Sequence, residues 1–176
     1  MRIISGTHKG ISIQAPRNLP VRPTTDRAKE SLFNILENRF DFEGLHVLDL
    51  CSGTGNIALE FASRGCASVT AVDADEGCIR HIKAYAKKLE FNQIITLRSD
   101  IVKYIKNTEQ QFDIIFADPP YQLQRQDEMI GLIFTHQLLS KDGLLIWEHA
   151  QQLNPGNELR CQEKRTYGDS AFSFFK

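Results

Sequence analysis

The sequence predicts an α/β fold: a mostly parallel, seven-stranded sheet closed by an antiparallel C-terminal pair and preceded by a β-hairpin. Three observations predict it. From Leu45 onward, short apolar runs alternate with segments of helical apolar spacing. Repeated units of this length require right-handed crossovers and a sheet covered on both faces. The tail then changes character: Glu158–Lys164 and Ala171–Phe175 are strand-like runs joined by Tyr167-Gly168-Asp169, which reads as a hairpin turn. At the other end, Ile3 and Ile4 face Ile11 and Ile13 across a loop bracketed by Gly6 and Gly10.

Composition narrows the class. A chain of 176 residues, 41% hydrophobic and 24% charged, suits one domain with a real core. No apolar run approaches the ~18 residues of a membrane span. The apolar stretch at Met1–Gly6 is too short for a signal peptide, so a cytoplasmic location is expected. Cys51, Cys66, Cys78 and Cys161 are unevenly spaced and form no C-x-x-C, which suggests neither a metal site nor a disulfide framework. They are expected to be reduced and mostly buried. The five histidines show no ligand spacing. Net charge is −1, yet residues 1–30 carry +4 and the remainder −5. The basic residues of that segment are Arg2, Lys9, Arg17, Arg22, Arg27 and Lys29, an electrostatic footprint suited to phosphate.

The elements follow in order. Pro16, Pro20 and Pro23 break the chain after the hairpin into a linker. Thr25 or Asp26 can cap a helix whose apolar stripe is Ala28, Leu32, Ile35 and Leu36, ending near Phe40. Leu45–Leu50 is a strand, Cys51–Gly55 a glycine turn and Asn56–Arg64 a helix closed by Gly65. Ser68–Val72 is a strand, Glu76–Leu89 a helix, Ile94–Leu97 a strand and Ile101–Ile105 a short helical turn. Phe112–Ala117 is a buried strand. A helix over Glu128–Leu139 follows, with Lys141-Asp142-Gly143 turning it into the strand Leu144–Trp147. Trp147 and Glu148 read as core and rim at that strand's end.

Two stretches carry chemistry. Phe112–Ala117 stops at Asp118-Pro119-Pro120-Tyr121. The prolines have no N–H to give a sheet, and each holds the residue before it extended. A carboxylate, a stiff carbonyl and an aromatic ring are thereby fixed at a strand's C-terminal end, where ligands bind in open α/β sheets. The second stretch is the glycine turn. Gly53 and Gly55 follow a strand and open a helix, so backbone N–H groups can approach a ligand. Extended to Ala58, the pattern also satisfies a dinucleotide fingerprint, with Asp73 as its ribose acid. Asp49, Asp73 and Asp100 stand at the ends of three successive strands. An acid just before the glycine turn repels a pyrophosphate but suits a cation. S-adenosylmethionine carries an ammonium, a sulfonium and a ribose diol and no phosphate, and the acids favour it. Asp73 would accept the ribose hydroxyls, Asp100 the adenine amino group, and Asp49 would help hold the methionine end. Ser52, Gly53, Gly55, Ala74 and Ile101 complete the expected cofactor site.

Asp49-Leu50-Cys51-Ser52-Gly53-Thr54-Gly55 resembles the cofactor motif of class I methyltransferases. Asp118-Pro119-Pro120-Tyr121 resembles the motif of those that methylate exocyclic or amide nitrogen. The whole chain resembles the bacterial RsmD-like methyltransferases, which modify a guanine N2 in 16S ribosomal RNA. That resemblance rests on Arg2–Gly6 with Lys9-Gly10, on Arg22–Arg27 through Glu30–Asn34, on the two motifs and on Tyr167-Gly168. It implies a Rossmann-like class I methyltransferase fold and an RNA partner, within a 30S subunit or an assembly intermediate. The near-neutral charge, Cys51 and Asn56 depart from the pattern such a family would suggest.

The expected catalytic residues are Asp118, Pro119, Pro120 and Tyr121. The Asp118 carboxylate and the Pro119 carbonyl would accept both N–H bonds of the target amine, aiming its lone pair at the methyl donor, while Tyr121 stacks on the base. The base must be flipped out or single-stranded. Residues 1–24, hairpin and linker, form the expected RNA grip, and 25–176 the catalytic core. Arg2, Lys9, Arg17, Arg22 and Arg27 are candidate phosphate contacts; the resemblance also allows Arg22 and Thr24 to face the cofactor. Other readings stay open at this level: a DNA amino group or a protein glutamine amide as target, a nicotinamide-dependent oxidoreductase, or a non-catalytic assembly factor.

Overall fold

Alternating aliphatic runs build the sheet and amphipathic segments cover it. The structure is a computed structural model that describes residues 1–15, 25–120, 125–153 and 160–176. The expectations placed on Pro16, Arg17, Pro20, Arg22, Pro23, Thr24 and Tyr121 lie outside the described residues. Seven strands form one sheet: β1 (His46–Leu50), β2 (Ser68–Asp73), β3 (Ile94–Arg98), β4 (Phe112–Ala117), β5 (Leu139–Ala150), β6 (Cys161–Tyr167) and β7 (Ser170–Phe175). Their order is β3-β2-β1-β4-β5-β7-β6. The pairs from β3 through β5 are parallel; β5–β7 and β6–β7 are antiparallel. Among the described residues there are five helices: α1 (Asp26–Glu37), α2 (Asn56–Ser63), α3 (Glu76–Lys88), α4 (Ile101–Asn107) and α5 (Gln126–Thr135).

The two-residue period of a strand sorts side chains to two cores. Val47, Val69, Ile114, Phe116 and Ile146 pack with the hairpin and α1, α2 and α3. Leu48, Leu50, Ile115, Leu145 and Trp147 pack with α4 and α5. The same alternation sends Asp49 toward α2 rather than α5. Three helices start with a side-chain cap: Thr25 accepts from Ala28 N, Asp75 from Cys78 N and Asp100 from Lys103 N. The other two, α2 and α5, start without one, α2 at left-handed Gly55.

Two expectations need correction. The helix expected over Glu128–Leu139 ends at Thr135. Gln137 takes a left-handed φ of 53°, and Leu138 N donates to Ile133 O at 3.0 Å, a helix stop made without glycine. Lys141-Asp142-Gly143 is then not the exit from a helix but an insertion inside β5. Phe112 pairs with Leu139 while Ile114 pairs with Leu144. In the last hairpin, β6 begins at Cys161 and continues through Tyr167, leaving Gly168-Asp169 as the turn.

The N-terminal hairpin holds a single antiparallel bridge, Arg2 with Ser12, and buries Ile3 and Ile13. It is tied to the core by one buried carboxylate. Glu60 of α2 accepts from Ile4 N at 2.8 Å and Ser5 N at 3.0 Å, and pairs with Lys29 at 3.1 Å and Arg64 at 2.9 Å. Lys29 also donates to Arg2 O and to Asn56 Oδ1. It therefore does not belong to the basic surface of residues 1–30: it is fully buried, its cation held by Glu60.

Candidate active site

The chain runs outward from β1 to β2 to β3, then returns to place β4 on the other flank of β1. Such a reversal leaves a crevice beyond the strands' carboxyl ends. A cavity of about 960 Å³ lies there. Leu50 and Ala117 are register partners, so the glycine turn and the Asp118-Pro119-Pro120 segment leave the sheet side by side, and Asp118 N donates to Leu50 O at 3.3 Å.

The glycine turn is built by hydrogen bonds at its base. Ser52 Oγ donates to Asp49 O at 2.6 Å and to Val72 O at 3.2 Å. Gly53 N donates to Asp73 Oδ2 at 2.8 Å, and Asp75 N to Asp73 Oδ1 at 2.8 Å. Asp73 thus joins the end of β2 to the turn while still facing the cavity. Asp49 is 1% exposed. Its Oδ2 accepts from Ala58 N at 3.1 Å, which supplies the cap that α2 otherwise lacks. Its Oδ1 has no hydrogen-bond partner among the described residues. A buried carboxylate oxygen left over at a cavity wall is a receptor for a donor or a cation.

The cavity is electronegative. Burial, followed by the Glu148 and Asp49 carboxylates, holds the Asp118 carboxyl well above the ordinary carboxylate range. Asp49 is also raised, by burial and by Asp73, against the pull of its Ala58 hydrogen bond. The Cys51 thiol is pushed far up by burial and then by the surrounding acids, Asp73 first, so it is a neutral wall group. The arrangement suits a ligand carrying positive charge.

Ser52, Gly53, Ala74, Asp100, Ile101, Pro119 and Pro120 line this cavity together with Asp49, Asp73 and Asp118. Gly55 does not. It stands behind the wall at φ +75°, where a Cβ would meet Ile82 Cγ1 of α3 at 2.7 Å. Its place is packing α2 on α3 and turning the chain. Of the described basic candidates, exposed Arg27 lines the mouth and exposed Arg2 lies beside it, its N–H donating to Asp26 Oδ1. Lys9 is elsewhere. The hairpin loop that carries it packs on the C-terminal end of α2, where Thr7 N donates to Ser63 O and His8 N to Ser63 Oγ. The cavity is at the N-terminal end of that helix, about 12 Å away for eight residues.

A family model described as "Conserved hypothetical protein 95" matches residues 1–176, the whole chain. The chain belongs to this family, the RsmD-like methyltransferases. It is 35% identical over 183 residues to YlbH of Bacillus subtilis (strain 168), covering 100% of this chain and 98% of that one. It is 30% identical to the ribosomal RNA small subunit methyltransferase D of Buchnera aphidicola, covering 94% and 87%. The solved structure of Escherichia coli yhhF superposes with a TM-score of 0.85 at 25% identity, covering 99% and 96%. The Rossmann-like class I fold expected from the sequence is the fold observed.

Three further parts of the wall in this RsmD-like chain were not singled out as site residues in the sequence. The β6–β7 turn, Thr166–Ser170, closes one side, and Thr25 with Ala28 of α1 closes another. The third is Glu148, read from the sequence as a plain rim residue. It is 4% exposed and faces the cavity from β5, which continues past it to Ala150.

Proposed function

We propose that this chain transfers a methyl group from S-adenosylmethionine to the exocyclic N2 of a guanine in small-subunit ribosomal RNA, free or within a 30S particle. The observation that carries the reading is one cavity shared by the glycine turn, Asp49 Oδ1, which has no partner among the described residues, and the Asp118-Pro119 acceptors. The RNA class follows the Buchnera relative, whose name specifies small-subunit ribosomal RNA. The family and the acidic walls support the cofactor, which supplies an electrophilic methyl on a cationic sulfur. Asp49, Asp73, Asp100 and the backbone of Ser52-Gly53 would hold it, with Ala74 and Ile101 flanking.

The chain's own residues then solve a reactivity problem. The lone pair of an exocyclic amine is delocalised into its ring and is a poor nucleophile. The Asp118 carboxylate and the Pro119 carbonyl accept the two N–H bonds, which favours a pyramidal nitrogen with its lone pair aimed out of the ring plane. Tyr121, from its place in the sequence, would stack on the base. As the nitrogen takes up the methyl group, positive charge would grow on it and both hydrogen bonds from the amine to Asp118 and Pro119 would strengthen. Alignment supplies most of the remaining acceleration. The proton released from nitrogen passes to Asp118, whose raised affinity for protons suits that role.

Incubating the protein with labelled cofactor and undermethylated 16S RNA, naked or as 30S particles, tests the reading. Nuclease digestion should yield N2-methylguanosine. Asp118→Ala should lower the transfer rate by at least about 100-fold while S-adenosylhomocysteine binding is retained. Label on adenine, cytosine or protein amide would refute the guanine assignment.

A further inference from the structure

We propose that Glu148 is the residue that selects guanine, accepting the N1–H of the base whose N2 amine is held by Asp118. The inference rests on the guanine reading above and deepens it.

The placement comes from the sheet. Ala117 of β4 and Trp147 of β5 are register partners in a parallel pair. The next residues, Asp118 and Glu148, therefore leave adjacent strands at the same height, with backbones about 4.8 Å apart. Strand alternation sends Trp147 into the α4–α5 core and Glu148 to the opposite face, the face of Asp49. Both Asp118 and Glu148 line the cavity, and Glu148 is 4% exposed. Two carboxylates side by side at one cavity wall favour a ligand that brings them donors. Asp49 Oδ1, buried in the same wall without a partner among the described residues, independently marks the cavity as built for a donor-bearing ligand.

The chemistry of amino groups then decides which ligand. In guanine the amine N2 adjoins N1–H, so its edge presents donor beside donor. In adenine the amine adjoins the N1 lone pair, in cytosine the N3 lone pair, and in a glutamine amide a carbonyl oxygen. All three would set an acceptor against Glu148. Asp118 and Pro119 serve any of the four amines, whereas a second carboxylate beside them fits guanine alone. A site built around one buried hydrogen bond rejects analogues that lack its partner strongly.

The test uses small-subunit RNA carrying guanine or 2-aminopurine at the methylated nucleotide, once digestion has located it. The second base keeps the N2 amine and replaces N1–H by a lone pair. The unmodified enzyme should favour guanine by at least about 100-fold in kcat/KM. Glu148→Gln, whose amide can donate to that lone pair, should narrow the ratio by about tenfold or more, with S-adenosylhomocysteine affinity unchanged. A folded Glu148→Gln enzyme that loses rate equally on both bases overturns the inference and leaves the guanine reading standing. Equal rates of the unmodified enzyme on the two bases overturn it without any variant. Absence of transfer to guanine N2 removes the parent reading first.

Discussion

At the scale of single residues, the acidity of the cavity has consequences that can be measured. Asp118 can take up the proton that the amine releases only as a carboxylate. Its affinity for protons is raised in the folded state, so kcat/KM should fall as pH drops through that elevated value, not near the ordinary 3.8. The effect on stability has the opposite sense. A carboxyl group whose pKa is raised on folding stabilises the fold at pH values below its unfolded pKa, and that contribution disappears as pH rises through the folded value. Ligand-free protein should therefore lose Tm as pH rises from about 4, and Asp118→Asn should flatten the decline. A cation relieves the same repulsion. The Tm gain from S-adenosylmethionine should grow with pH and exceed that from S-adenosylhomocysteine, which lacks the sulfonium charge; equal gains at every pH would contradict the electrostatic account. Asp118 was legible in the sequence because two prolines fix its backbone. Glu148 was not, because a glutamate at a strand end carries no local signal and its meaning comes from the neighbouring strand's register. Lys29 was read as surface charge for the same reason: its partner Glu60 lies far along the chain.

At the scale of elements, the hairpin, α1 and α2 behave as one piece centred on Glu60. Replacing one member of a buried, hydrogen-bonded ion pair leaves the others uncompensated. Glu60→Ala should cost about 3–5 kcal/mol in urea unfolding, because the buried Lys29 loses its counter-charge and Arg64 and the N–H groups of Ile4 and Ser5 lose this acceptor. Gly6 seats the loop. It has φ +81°, and a Cβ there would lie 1.9 Å from Ser63 O. Gly6→Ala should destabilise by about 1–3 kcal/mol and weaken the hairpin's protection from hydrogen exchange more than that of β4. Periodicity located every strand and helix of the core, since apolar spacing is a direct record of which face is buried. It misjudged the end of α5 and the start of β5. A left-handed glutamine and a strand insertion are tertiary choices, made by packing against β4 rather than by local propensity.

At the scale of the whole molecule, a net charge of −1 conceals an uneven surface. Arg2 and Arg27 stand beside the acidic cavity, whereas Lys29 is buried and Lys9 lies at the far end of α2. If ribosomal RNA docks over the mouth, neutralising Arg2 and Arg27 together should lower the slope of log affinity against log salt by about 1.4–1.8. Lys9→Ala should leave that slope nearly unchanged. A larger effect from Lys9 than from Arg27 would place the RNA on another face. Fold class was open to inference because alternating strands and helices permit few topologies. The described part of the expected RNA grip, residues 1–15, is anchored in α1 and α2. The anchor also orders events in time. Ribosomes deliver residues 1–13 well before residue 60, whose carboxylate receives Ile4 and Ser5. During translation this leading segment must wait, unsatisfied, for dozens of later residues to emerge, a delay that nascent-chain proteolysis should register as a late gain of resistance.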